Sequence, residues 1–403
     1  MSAARLATVL ALAWIGGCGD IAPDDRRSPD PDAAQTSDGR AGVDPQRDGE
    51  PDTGAPTGIR YLSGGGDSDG FARATVPRAF EFPADHGGHP EYRSEWWYFT
   101  GNVFGSDRRH YGFELTFFRY ALADEPPPGP SAWSTNQFWM AHLAVTDTRN
   151  GRLLAEERLT RGALGLAGAE ASPFRVWVED WSVSGRLGRT DGSIVLEARG
   201  ERIALDLALA PSKGVTPNGD RGLDGKGPEP GNASFYYSMP RIDVRGRITV
   251  DGREDAVSGL AWMDREWSTS ALTPDLEGWD WFALQLSDGR DLMVYRLRRR
   301  DGTASPYSGG SLIDADGARR RLDVEDFVLE PLDHWYSERT GTRYPVAWRL
   351  RLPDEDLQLE VRPYVDDQEL DLSVRYWEGA VSVEGRSGSG PVTGNGYLEL
   401  AGY

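Results

Sequence analysis

Three side chains in this 403-residue sequence have the type and setting for acid–base chemistry: Asp264, His142 and Glu95. Asp264 lies within Trp262-Met-Asp-Arg-Glu-Trp-Ser268. If residues 260 to 267 form a strand, Trp262, Asp264 and Glu266 share one face, while Met263, Arg265 and Trp267 take the other. A carboxyl kept protonated by burial can protonate an alkene carbon, and an indole beside it can shelter the resulting cation. The plain alternative for Asp264 is an ion pair with an arginine where two domains meet, which would lower its pKa and spoil it as an acid. His142 shares its face with Met140 and Ala144 and so points into a barrel lumen or an interdomain cleft, either as a base or as a hydrogen-bonded core group. Glu95 adjoins Trp96 and Trp97, placed to orient His142 or an arginine, or to form a salt bridge at the rim. Trp97, Tyr98, Trp262, Trp267, Trp279 and Trp281 are candidate walls of an apolar ligand site, although core packing would absorb aromatics equally well.

Cys18 is the only cysteine, so it has no disulfide partner within the chain. It follows Arg5, an apolar run from Leu6 to Ile15, and Gly16-Gly17. That pattern predicts a lipoprotein signal peptide over residues 1–18, too short to span a bilayer, with Cys18 lipidated at the mature N-terminus. Residues 19–58 are acidic, rich in Pro and Gly and poor in large aliphatics, the composition of a disordered tether. The expected location is the bacterial cell envelope, on a membrane-anchored lipoprotein facing the periplasm or the cell surface.

Composition narrows the function classes further. A net charge of −20 repels phosphate backbones, so nucleic acid is not an expected partner. There is no G-x-S-x-G elbow, no H-E-x-x-H and no phosphate loop carrying a lysine, so neither a serine hydrolase of the α/β type nor a cofactor is expected. His86-Gly-Gly-His89 lacks a third ligand nearby and reads as a loop at a domain entrance, so no metal is expected.

The elements that must position these groups are strands. Tyr111-Gly-Phe-Glu-Leu-Thr-Phe-Phe118, Ile203-Ala-Leu-Asp-Leu-Ala-Leu209 and Trp348-Arg-Leu-Arg-Leu352 alternate with a period of two. Asn150-Gly151, Asp251-Gly252, Asp288-Gly289 and Asp316-Gly317 supply turns, and no helical period is sustained. The sequence also repeats: Trp96-Trp-Tyr-Phe99 parallels Trp279-Asp-Trp-Phe282, and Val257-Ser-Gly-Leu-Ala-Trp-Met-Asp264 parallels Val392-Thr-Gly-Asn-Gly-Tyr-Leu-Glu399. An all-β chain with two related domains is expected, spanning residues 59–270 and 271–403.

Glu95-Trp-Trp-Tyr-Phe-Thr-Gly-Asn102, Met140-Ala-His-Leu-Ala-Val-Thr-Asp147, the Trp262–Ser268 block, Tyr376-Trp-Glu-Gly-Ala-Val381 and Gly394-Asn-Gly-Tyr-Leu-Glu-Leu-Ala-Gly-Tyr403 together resemble the carotenoid 1,2-hydratase (hydroxyneurosporene synthase) and AttH-like family. The resemblance implies two tandem lipocalin-like antiparallel barrels. It also implies that Asp264 matches the catalytic aspartate of the family's hydratases, although Met263 and Arg265 stand where histidines flank that acid. Some members accompany ABC exporters of the envelope. The leading expectation is therefore a lipid-anchored protein that binds an apolar or amphipathic small molecule, with ABC transporter components as further partners. The alternative is a hydro-lyase or isomerase that acts on an isoprenoid-like substrate with Asp264 as general acid, and a third is a purely structural interaction module.

Overall fold

The computed structural model describes residues 69–269 and 272–403, so Cys18, the signal peptide and the tether lie outside the described residues. Within them the chain forms strands, three single turns of 3-10 helix and no α-helix. The first sheet comprises β1 (Ser94–Gly105), β2 (His110–Ala121), β3 (Gln137–Asp147), β4 (Arg152–Arg161), β5 (Ala167–Ala171), β6 (Phe174–Val178) and β7 (Trp181–Leu187). It continues with β8 (Gly192–Arg199), β9 (Ile203–Pro211), β10 (Thr216–Pro217), β11 (Leu223–Gly225), β12 (Ala233–Val250) and β13 (Arg253–Ser268). The second comprises β14 (Leu276–Leu286), β15 (Asp291–Arg299), β16 (Gly309–Ile313), β17 (Arg319–Asp323) and β18 (Val328–Tyr336). It ends with β19 (Arg343–Leu352), β20 (Leu357–Pro363), β21 (Glu369–Asp371), β22 (Arg375–Ser387) and β23 (Gly390–Ala401).

The strand order β4-β3-β2-β1-β13-β12-β9-β8-β7-β6-β5 makes the first sheet antiparallel throughout, and the second follows the same plan as β17-β16-β15-β14-β23-β22-β20-β19-β18. Both curl into barrel-like layers, in keeping with the tandem lipocalin-like expectation. In each, the strand that closes the sheet in sequence pairs with the strand that opens it: β13 with β1, and β23 with β14. In β12 the register breaks between Met239 and Ile242, where Pro240 cannot donate to the ladder and the long strand bends.

The inside of each barrel is filled. Trp97, Phe99, Phe113, Leu115, Phe117, Leu143 and Met263 pack with Val176, Leu196 and Leu207 inside the first. Phe282, Leu284, Val294, Trp348, Trp377 and Leu398 fill the second. A strand has two faces, and the other face of β1, β2, β13, β14, β22 and β23 turns toward the neighbouring barrel. This is why β2 is buried along its whole length. Gly112 on β2 makes the closest approach possible, since a Cβ there would stand 2.4 Å from the Cβ of Ala380 on β22. At another edge of the contact Lys213 Nζ bonds Asp291 at 2.7 Å together with the carbonyls of Gly289 and Asp314, riveting the barrels together.

Candidate active site between the barrels

With both lumens packed, the enclosed space lies between the barrels. A cavity of about 130 Å³ opens there, walled by Trp96, Tyr98, Tyr236, Trp279, Trp281 and Tyr295 and bordered by Glu114, Asp264, Glu266, Glu399 and Lys226. That volume is on the order of what holds one benzene-sized guest, so a larger ligand inserts a single apolar unit and leaves the rest at the mouth. Trp281 meets Tyr98 edge-to-face at 5.3 Å and Trp262 at 6.5 Å, which locks the wall.

Asp264 is the centre of one pole. Alternation along β13 aims Trp262, Asp264 and Glu266 outward, and Met263 inward, as expected. Among the described residues no arginine bonds Asp264, which overturns the ion-pair alternative. Its Oδ1 instead accepts hydrogen bonds from Ser238 Oγ and Trp262 Nε1, both at 2.6 Å, while Oδ2 accepts one from Tyr236. Tyr236 is held in turn by Trp281 Nε1 at 3.1 Å, across from the second barrel. Burial raises the Asp264 carboxyl to about 7, although these donors favour its ionised form. Oδ1 carries two donors and Oδ2 one, which leaves Oδ2 the freer oxygen for a proton. Ser238 belongs to a longer chain, since Asn218 Nδ2 donates to it at 2.9 Å and Ser311 of the second barrel donates to Asn218 Oδ1 at 2.8 Å.

Nearby, Lys226 contacts Asp224 at 2.7 Å and Glu266 at 3.3 Å. Burial raises the Glu266 carboxyl, while Lys226 works the other way. The opposite pole carries Glu399, which accepts Trp279 Nε1 at 2.9 Å and which burial raises to about 8. Glu378 behind it accepts the Tyr98 hydroxyl at 2.5 Å, and burial with Glu114 and Glu399 nearby drives its carboxyl well up. Counting Asp224 and Lys226, carboxyls outnumber cations here, a setting that disfavours anions and suits neutral or cationic species.

The other expected site residues divide between cleft and core. Tyr98, Trp279 and Trp281 line the cleft, and Trp262 packs behind it on Asp264. Trp97 and Trp267 have the opposite parity and point away: Trp97 donates to the His86 carbonyl inside the first barrel, and Trp267 stacks on His89 at 3.9 Å. Glu95, on the Trp97 face, is fully buried and bonds to Arg119 and Arg265, not to His142. Burial would raise its carboxyl, but the two guanidiniums prevail and hold it far below the usual range. Arg265 is also sandwiched by the rings of Trp97 at 3.9 Å and Trp267 at 4.9 Å. His142 faces the second barrel one layer behind the cleft, where its Nδ1 meets the Tyr376 hydroxyl at 2.6 Å and burial lowers its pKa to about 3. His86 and His89 are likewise absorbed, by Tyr237 and Gly188 in one case and by Asp85 and Arg265 in the other.

Sequence reasoning missed Tyr236, Glu114, Glu378, Tyr376 and Lys226. Glu114 and Thr116 were visible as lone polar residues in an otherwise apolar run, and Lys226 as one of the rare lysines in an arginine-rich chain.

A family model described as AttH-like matches residues 73–403. The chain belongs to the AttH-like family. A solved AttH-type structure from Nitrosomonas europaea shares 34% identity with it, covering 83% of this chain and 100% of that one, with a TM-score of 0.72. Kievitone hydratase from Nectria haematococca shares the fold, at a TM-score of 0.59 and 15% identity over 82% of this chain and 97% of that one. Among curated proteins, kievitone hydratase of Fusarium solani subsp. phaseoli is 23% identical over 217 residues, 50% of this chain and 58% of that protein. The dehydratase asqC of Emericella nidulans is 25% identical over 177 residues, 42% of this chain and 46% of that protein. The chain thus spans about half the length of these two curated relatives. This AttH-like protein has its acids and aromatics gathered between two members of a duplicated pair of barrels.

Proposed function

We propose that this AttH-like protein adds water to, or removes it from, a carbon–carbon double bond of an apolar or amphipathic substrate, with Asp264 as general acid. One observation carries the reading: a buried carboxyl raised to about 7, with no cation bonded to it among the described residues, stands beside an aromatic-walled cavity. The names of two relatives, a hydratase and a dehydratase, support the same class.

In the hydration direction the π pair takes the proton from Asp264 Oδ2, forming a C–H bond and leaving a cation on the neighbouring carbon. The indole and phenol faces shelter that cation. The carboxylate left behind gains strength in its bonds from Ser238, Trp262 and Tyr236, so the donors act mainly as charge develops. Water then adds to the cation and gives up a proton. In the reverse direction the hydroxyl is protonated and leaves as water, and the Asp264 carboxylate takes the proton back from carbon.

The cavity volume and its excess of carboxyls favour a neutral substrate that inserts one isoprenyl-sized unit. Purified protein incubated with a panel of prenylated phenols and isoprenoid alkenes in isotopically labelled water should incorporate the label into product, and Asp264→Asn should abolish incorporation. Full activity in Asp264→Asn with an intact fold would overturn the assignment. We also propose that an acyl group on Cys18 holds the enzyme at an envelope membrane, a point that mass spectrometry of the mature N-terminus decides: an unmodified chain beginning elsewhere refutes it.

A further inference from the structure

Cross-strand pairing sets one row of residues side by side on the face of the first barrel that meets the second. Asp264 on β13 pairs with Tyr98 on β1, Tyr98 with Thr116 on β2, Thr116 with His142 on β3, and His142 with Glu157 on β4. The row starts at the cleft and ends at a side chain that retains 23% exposure. Over it lies Tyr376 of the second barrel, which lines the cleft and ties the row together through hydrogen bonds.

Glu114 is the inner end. Its Oε1 accepts Thr116 Oγ1 at 2.8 Å and the Tyr376 hydroxyl at 3.2 Å. The same hydroxyl, with one proton to give, stands 2.6 Å from His142 Nδ1 and donates there when the ring carries its proton on Nε2. On the far side of the ring, His142 Nε2 and Glu157 Oε2 are 4.0 Å apart, about 1 Å beyond hydrogen-bond reach. Glu157 is held in place through its other oxygen by the amide and hydroxyl of Ser373. Three atoms along this line have no hydrogen-bond partner among the described residues: Glu114 Oε2, His142 Nε2 and Glu157 Oε2. A buried polar atom without a partner is costly to a fold, and here the three lie in sequence along one route.

We propose that Glu114, Tyr376, His142 and Glu157 form a proton path from the cleft to solvent, with Glu114 as the group that takes the proton from the attacking water. The proposal deepens the water-adding reading above, which leaves that proton without an acceptor. As the water oxygen's electron pair forms the C–O bond, its proton goes to Glu114 Oε2. The carboxyl turns and passes the proton to the Tyr376 oxygen while Tyr376 gives its own to His142 Nδ1. A swing of the Glu157 carboxylate closes the remaining gap, the ring releases its Nε2 proton to it, the reverse swing hands the proton to bulk water, and a turn of the imidazole restores the starting tautomer. Each relay group gains one proton and loses one. Burial keeps His142 neutral, so the ring conducts without storing charge. Burial raises both Glu114 and Glu378, and Glu114 is the member of that pair that lines the cleft and bonds Tyr376.

The test needs no substrate. Infrared difference spectra of the full chain at mildly acidic pH, transferred into deuterated water, report the exchange of each protonated buried carboxyl; Glu114→Gln and Asp264→Asn assign the bands by their loss. Exchange at Glu114 should slow by an order of magnitude in His142→Phe and in Glu157→Gln, while exchange at Asp264 keeps its wild-type rate. An unchanged Glu114 rate in Glu157→Gln overturns the path, as does equal slowing at Asp264, which would mean a general change in cleft opening. If His142→Phe fails to fold, Glu157→Gln decides alone, since its amide oxygen still accepts from Ser373. Slowed exchange in a protein that adds water to no substrate would leave the path standing and remove the hydratase reading, so the two failures are distinct.

Discussion

Asp264→Asn separates what the carboxyl does for chemistry from what it does to stability. Asparagine keeps the shape of the protonated acid: its oxygen can still accept from Ser238 and Trp262, and its amide takes the place of Oδ2, donating to the Tyr236 oxygen where Oδ2 accepted from it. A folded-state pKa near 7 against an ordinary 3.8 means that protonation of Asp264 favours the folded state. This contribution is fully present below the unfolded value and is lost as pH rises through the folded one. The span between the two, at about 1.4 kcal/mol per unit, amounts to roughly 4 kcal/mol as an upper bound for this fully buried group. Wild type should therefore lose stability relative to Asp264→Asn from about pH 4 to about pH 8 and level off above that.

Denaturant unfolding of both proteins across this range measures the difference directly. Turnover should behave in the opposite sense. The variant loses about 10²–10⁴-fold in rate where Asp264 is protonated, and wild-type activity falls as pH rises past the Asp264 value because the acid form disappears. A stability difference that stays flat with pH would refute the claim that Asp264 is a protonated buried acid. A flat difference with activity intact would remove it from both roles.

Tyr236→Phe removes one donor from the Asp264 carboxylate; activity should fall about 10²-fold and its alkaline limb should move to higher pH, read from rate against pH. Glu95→Gln leaves Arg119 and Arg265 buried without their counter-charge, and chemical denaturation should show a loss of about 3–5 kcal/mol. Gly112→Ala drives a methyl into Ala380 across the barrel contact; a loss of about 1–3 kcal/mol is expected, with recovery in the double variant carrying Ala380→Gly.

The period of two in the sequence told which residues share a face, but not what covers that face. Phe113, Leu115 and Phe117 were legible as one side of β2 and proved to be barrel core. Glu114 and Thr116 on the other side carry the pattern of a solvent-facing row, yet both are buried because the second barrel lies on them. The same limit explains Trp97 and Trp267. Composition marked both as cavity material, while their parity, shared with Glu95 and Arg265, put them on the inner face, and only the three-dimensional arrangement shows that the guest space is outside the barrels. Asp264 was legible through the resemblance to the family's catalytic aspartate, and Trp279 and Trp281 through blocks that recur in both halves. Tyr236 and Tyr376 were not, because a tyrosine in a strand looks the same whether its hydroxyl meets water or a buried carboxyl.

Duplication explains why the cleft has two acids in unequal settings. Asp264 pairs across the ladder with Tyr98 on one side and Ser238 on the other; Glu399 pairs with Trp281 and Glu378. The positions correspond, but where a hydroxyl donates to Asp264, the Glu378 carboxyl stands beside Glu399 and is itself driven up by burial and by that neighbour. Burial raises both acids, Asp264 to about 7 and Glu399 to about 8, while their hydrogen-bond partners differ. The supports also cross over. Trp281 of the second barrel steadies Tyr236 on Asp264, and Tyr98 of the first bonds Glu378. Neither barrel holds a complete pole by itself, so a duplicated pair with filled lumens could gain a site only at the surface where its two members meet.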